Sequence, residues 1–290
     1  MELKRILVAI NSPDTRDSAF QRGLSLGKAF GAELYVLHAV PVNSRFSFRA
    51  AERLERMADL RKRAEDAGVR VQTVEQQGDP AEIIELHASA RHVDLIIIGS
   101  EPSRGWRRRD RSLVAEGVIR RTAVPTLVVA SDAPGAPNAF RTVFVAVDLS
   151  PASADVLDAA IQLTAGEPGQ LTVMHTVTGV EAADAVRSPA RWMVPEYRAH
   201  LMEDARRGLE KAVQAVPAGV ETLLQVSSGS AARAICDGAA DAGADLVVVG
   251  RSRGMKMLGS TALRVLRQND RALLVVPSVS RRAAQRQRAA

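Results

Sequence analysis

Little in this chain is built for covalent or metal chemistry. Its 290 residues include one cysteine, Cys236, which can form no internal disulfide and points to a reducing, cytoplasmic setting. Cys236 lies among Ala234, Ile235 and Ala239, the setting of a small buried thiol rather than a nucleophile. No Cys/His spacing suits zinc: His87 and His92 stand five apart and miss the i, i+4 pairing that puts two imidazoles on one helix face. The letters Gly-x-Ser-x-Gly occur once, from Gly250 to Gly254, with no histidine–carboxylate pairing of the kind hydrolysis uses. No catalytic residue and no metal ligand is therefore assigned. Aromatics make up 3% of the chain, and only Trp106 stands among the clustered arginines, so a base-stacking platform for nucleic acid is not expected. No apolar run approaches the roughly 20 residues of a membrane span. The opening run from Ile6 to Ile10 is too short for a signal peptide, and no small-residue cleavage site follows it.

Apolar residues supply 46% of the chain, enough for a core in each of two ordinary domains. The net charge of +6 is concentrated. Arg104, Arg107, Arg108, Arg109 and Arg111 crowd one segment, and Arg281, Arg282, Arg286 and Arg288 sit in the C-terminal tail. Two readings apply to these arginines: a solvated loop and tail, or a patch for phosphate, nucleic acid or an acidic partner.

The chain repeats itself. Arg5-Ile-Leu-Val-Ala-Ile10 returns as Arg141-Thr-Val-Phe-Val-Ala-Val147, and Asp94-Leu-Ile-Ile-Ile-Gly99 as Asp245-Leu-Val-Val-Val-Gly250. Ala123-Val-Pro-Thr-Leu-Val-Val129 returns as Ala272-Leu-Leu-Val-Val-Pro277. Three matches in one order imply duplication. The Pro/Gly-rich stretch 131–138 separates the copies, giving domains at 1–131 and 139–278 and a basic tail at 279–290. In the first copy strands are predicted at 4–10, 33–40, 69–75, 94–99 and 126–130, with helices at 15–30, 46–67, 80–91 and 112–122. In the second, strands fall at 142–147, 170–177, 220–227, 245–250 and 272–276, with helices at 152–165, 190–216, 230–242 and 259–268. Leu54, Met57 and Leu60 are spaced for one buried face of the second helix. Trp192, Met193, Val194, Pro195 and Tyr197 precede a later helix as either a flap over the core or a docking site. Strands alternating with helices predict an α/β fold, two doubly wound parallel sheets. Such sheets bind ligands beyond the carboxyl ends of their strands.

At those ends the copies differ. The second has Asp148 after its first strand, a ligand for ribose or base, or else an N-cap for the next helix. The first has Asn11 there, which keeps the capping ability and loses the charge. After the fourth strand of the second copy comes Gly250-Arg-Ser-Arg253-Gly254, then Gly259-Ser260-Thr261 opening a helix. Glycines admit a phosphate close to the backbone, and the free N–H groups of a helix start attract it; a tight, capped turn is the alternative. The spacing is not that of a Walker A loop. His38 and His175 occupy matching strand ends, where one structural cause should serve both: ring nitrogens held in hydrogen bonds.

The tandem repeat, Ile6-Leu-Val-Ala-Ile10, Gly78-Asp-Pro-Ala81 and Gly259-Ser260 resemble the universal stress protein family over nearly the whole chain. The resemblance implies five-stranded parallel sheets of order 3-2-1-4-5 with helices on both faces. It also implies paired domains that meet along their last strands, here Thr126 to Val129 and Leu273 to Val276, as an internal pseudo-dimer. One branch of that family binds ATP through an aspartate after the first strand and a Gly-x2-Gly-x9-Gly-Ser/Thr loop after the fourth; another lacks the loop and does not. By this measure the first copy is degenerate: Asn11 replaces the aspartate, Pro102 the second glycine, and Ser112-Leu113 the Gly-Ser pair. The second keeps Asp148, Gly250, Gly259 and Ser260, with Thr176 where the family contacts adenine through its backbone. Arg253 holds the second glycine position, Gly254 comes one place late, and the loop is about four residues short. The expected protein is a non-enzymatic regulator in stress response, with ATP or AMP in the second domain. It would have an unknown protein partner, with a homodimer of two chains as a further expectation. The alternatives are a partner-binding protein without nucleotide and a slow ATPase.

Overall fold

A computed structural model describes residues 2–41, 50–100, 108–130, 140–164, 169–178, 194–251 and 260–278. Two compact units emerge: Met1–Ala139 with Asp270–Val275, and Phe140–Asn269 with Val276–Ala290.

The first unit runs β1 (Arg5–Ile10), α1 (Ser18–Phe30), β2 (Glu33–Val40), α2 (Ala50–Asp66), β3 (Val71–Gln77), α3 (Pro80–Ala90), β4 (Leu95–Ser100), α4 (Arg108–Arg121) and β5 (Thr126–Ala130). Its parallel strands lie in the order 3-2-1-4-5. Ile6 to Ile10 are all buried. Successive strand residues face opposite sides, so this strand is covered on both faces, as a doubly wound sheet requires. The unit also takes in a strand from far along the chain, β10 (Ala272–Pro277), which runs antiparallel to β5 with Leu273 opposite Val128 and Val275 opposite Thr126.

The second unit runs β6 (Thr142–Ala146), α5 (Ser153–Leu163), β7 (Gln170–Val177), α6 (Val194–Ala212), a single 3₁₀ turn (Val213–Ala215), β8 (Glu221–Ser228), α7 (Ala231–Asp241), β9 (Leu246–Arg251) and α8 (Ser260–Gln268). Its strands β9-β6-β7-β8 are parallel and repeat the arrangement β4-β1-β2-β3. Leu246 to Val249 are buried throughout.

Two repeated sequence features acquire local causes. Asp94 Oδ2 accepts hydrogen bonds from the Lys4 and Arg5 N–H groups, both at 2.9 Å. Asp245 accepts from Arg141 at 2.8 Å and Thr142 at 3.2 Å. Each aspartate thus clips the start of the first strand in its unit to the start of the fourth. In Gly78-Asp-Pro-Ala81, Gly78 has φ of 151°, a conformation closed to L side chains. Asp79 then caps α3 through the Glu82 N–H at 2.9 Å, and Pro80 takes the first helical turn, where its missing N–H costs nothing.

The α2 face differs from expectation. Met57, Leu60 and Ala64 are buried, whereas Leu54 is 70% exposed. At about 100° per residue, Arg53 rather than Leu54 falls in the middle of that buried stripe. Arg53 reaches Glu75 of β3, with Nε at 2.9 Å from Oε1.

Candidate functional site

The carboxyl ends of β6, β7 and β9 share one edge of the second sheet. Ala146 stands opposite both Met174 of β7 and Val249 of β9. Outward from that row, Asp148 and Thr176 lie two residues on, and Gly250 one. Pairing continues past β6: the Val147 N–H donates to the Met174 carbonyl at 2.9 Å, and His175 Nδ1 lies 2.9 Å from the Val147 carbonyl oxygen. The residue before Asp148 is therefore tied to the neighbouring strand.

Past that point Leu149 adopts φ of 58° and turns the chain. Asp148 Oδ1 accepts from the Ser150 N–H at 3.0 Å and from the Ser153 hydroxyl at 3.2 Å. The first of these closes a local side-chain turn of the Asx kind. Partial burial pushes the Asp148 carboxyl up, but the bonds from Ser150 and Ser153 outweigh it and hold the group below its usual value. Asp148 is thus an exposed anion at neutral pH whose Oδ2 takes part in neither bond. It is not the helix cap: Ala152 is the N-cap residue of α5 and makes no side-chain capping bond.

The capping role expected of Asn11 needs the same correction. Asp17 caps α1, accepting from Ala19 N–H at 2.9 Å and Phe20 N–H at 3.1 Å, and Asn11 donates its own N–H to Asp17 Oδ2 at 3.3 Å. The cap lies further on because α1 starts at Ser18 rather than near residue 15.

Gly250 is exposed, while its counterpart Gly99 is buried beneath Ser18 and Ala19 of α1. A Cβ on Gly250 would stand 3.0 Å from Val156 Cγ2, so close packing of α5 is a second reason for glycine there, one the sequence did not reveal. Thr176 is half-buried on β7, facing Ser227 of β8. Ser260 opens α8, and half-buried Thr261 follows. Arg253, Gly254 and Gly259, like Pro102 of the first copy, lie outside the described residues.

His38 and His175 each have a ring nitrogen in a hydrogen bond, but with different partners. His175 takes the Val147 carbonyl, whereas His38 Nδ1 lies 3.0 Å from Glu75 Oε2. Burial raises the Glu75 carboxyl, and its bonds to His38 and Arg53 more than reverse this. Near the matching end of the first sheet, Glu75 is thereby held between His38 and Arg53. In sequence Asp148 reads as a ligand or an N-cap; its contacts to Ser150 and Ser153 come from the fold.

Among the described residues, no group of three or more His, Cys, Asp or Glu side chains could hold a metal ion, and no helix is long and apolar enough to cross a membrane. An exposed carboxylate beside the exposed Gly250 can accept hydrogen bonds from a hydroxylated ligand.

The profile of the universal stress protein family matches residues 2–130 and again 139–277. A universal stress protein of Methanocaldococcus jannaschii is 29% identical over 138 residues, covering 43% of this chain and 81% of that protein. The universal stress protein YxiE of Bacillus subtilis is 30% identical over 148 residues, covering 47% of this chain and 99% of its own. Among solved structures, a functionally unknown protein of Pseudomonas aeruginosa superposes with a TM-score of 0.70 at 18% identity, covering 95% of this chain and 93% of the other. A universal stress protein of Archaeoglobus fulgidus gives 0.65 at 20% identity, covering 96% and 97%. These two likenesses are of fold. The double profile match, spread over nearly the whole length, makes this chain a member of the universal stress protein family that carries the family's unit twice.

Proposed function

We propose that this chain is a non-enzymatic, cytoplasmic regulator in stress response, whose second domain binds an adenine nucleotide, ATP or AMP, and whose first does not. The domains are 1–131 and 139–278, with a basic tail at 279–290. The ligand-binding set is Asp148, Thr176, Gly250, Arg253, Gly254, Gly259, Ser260 and Thr261. Asp148 accepts from a ribose hydroxyl, the Thr176 backbone meets adenine, and the residues from Arg253 to the helix start at Ser260 meet phosphate. One contrast carries this reading: Asp148 and Gly250 are both exposed at adjacent strand ends, whereas Gly99 is buried and Asn11 brings no charge. A regulator needs no chemical step, because occupancy biases conformation when the nucleotide favours one of two states. An unidentified protein partner would read that bias.

Calorimetry of the full chain with ATP, ADP and AMP tests this. Binding of one nucleotide per chain is expected, weakened about tenfold or more, at least 1.4 kcal/mol, by Asp148→Ala. Flat titrations with all three would leave the partner-binding protein without nucleotide. Steady ATP turnover in the pure protein, abolished by Asp148→Ala and Ser260→Ala, would replace the regulator with a slow ATPase.

A further inference from the structure

β3 and β8 are the outermost strands of their sheets, and the duplication lets the two edges be compared residue by residue. His38 stands opposite Glu75 and His175 opposite Val226, so Gln72 and Thr73 of β3 correspond to Leu223 and Leu224 of β8. Leu223 is 48% exposed and Leu224 38%. Neighbours on a strand point to opposite faces, so apolar surface is offered on both. Edge strands are ordinarily guarded by charge or cover. β3 carries Glu75, tied to Arg53 of the helix above it; the only charge on β8 is Glu221, at its start.

We propose that the β8 edge is a self-association surface, onto which a second copy of this chain adds its own β8 antiparallel about a two-fold axis through Leu224. The strand is self-complementary in that register. Leu224 meets its own copy, Leu223 meets Gln225, Thr222 meets Val226 and Glu221 meets Ser227, so no like charges face each other. The flanking layers suit the same contact. Ser228 accepts from Arg198 of α6 at 2.9 Å, while Gln225, on the other face, lies against Gly238 of α7. Four acidic and four basic residues balance on α6, so two copies of it do not repel. Tyr197, 59% exposed in the first turn of α6, adds apolar area. Eight strand residues extend about 27 Å, and a helix, sheet and helix stack about 30 Å high. That edge offers about 800 Å² per copy, the area a standard dimer buries.

Sedimentation equilibrium of the full chain is the test. A dimer is expected, and Leu223→Gln/Leu224→Thr, which transplants the first unit's side chains, should raise its dissociation constant about tenfold or more. Leu54→Gln, at an exposed leucine of α2, should leave it unchanged. Circular dichroism checks that the double variant is folded; if it is not, Leu224→Lys alone is read in the same way. A wild-type chain that stays monomeric to about 100 μM overturns the proposal. So does a dimer that the edge substitutions leave intact, one that Leu54→Gln also dissociates, or a monomer that instead captures an extended peptide at this edge.

Discussion

Asp148 and Asn11 hold the same place in the two repeats, yet neither does what the tightest local reading of its neighbourhood suggests. A helix cap needs the side chain at the residue just before the helix, and both lie too far upstream of it. Asp148 is instead held as an anion by Ser150 and Ser153. Because its folded pKa lies below the unfolded value of about 3.9, its stabilisation is complete above that value and is lost as pH falls through the lower folded one. Asp148→Asn should therefore cost about 1 kcal/mol at pH 7, a figure already reduced for the group's exposure, with the gap from wild type narrowing in urea melts as pH falls below the unfolded value of about 3.9. Glu75 follows the same sign. Glu75→Gln should loosen α2, seen as faster amide exchange across 50–66 at pH 7, and the difference should shrink in acid. Arg53 is where sequence reading misled: a leucine beside an arginine was assigned to the core, but helix phase and a carboxylate on β3 drew the arginine inward.

At the scale of elements, strand and helix identity was largely legible, because hydrophobic period and turn residues are local signals. Ends were less so. β3 spans Val71–Gln77 rather than 69–75, since pairing with β2 carries the polar Glu75-Gln-Gln77 stretch into the sheet, up to Gln77 opposite Val40. Asp94 and Asp245, placed at the first strand position by sequence, stand just before β4 and β9, and each satisfies two backbone donors some ninety or a hundred residues away. Asp94→Ala and Asp245→Ala should each cost about 1–3 kcal/mol, because two N–H groups lose a charged acceptor. Asp79→Ala should cost about 1 kcal/mol through loss of the α3 cap. Denaturant melts of the three variants check both figures, and the larger loss should belong to the strand clips.

For the molecule as a whole, the first unit depends on a strand made near the other end of the chain. Leu274 is fully buried, and β10 pairs with β5. Leu274→Ala should cost about 2–5 kcal/mol by leaving a core cavity. Hydrogen exchange should then rise in Thr126–Ala130, although these residues lie far away in sequence. Unchanged protection there would show that β10 adds nothing to that sheet.

By itself the sequence determined the duplication, the alternation of strand and helix, and the family, all written in periodicity and short motifs that each copy states independently. Tertiary structure alone decided that Gly250 is exposed while Gly99 is buried, which acceptor each histidine meets, and that the outer strand of the second sheet bears two exposed leucines. The division has a physical cause. Backbone periodicity is set by neighbours in the chain, whereas burial and hydrogen-bond partners are set by whatever segments packing brings alongside.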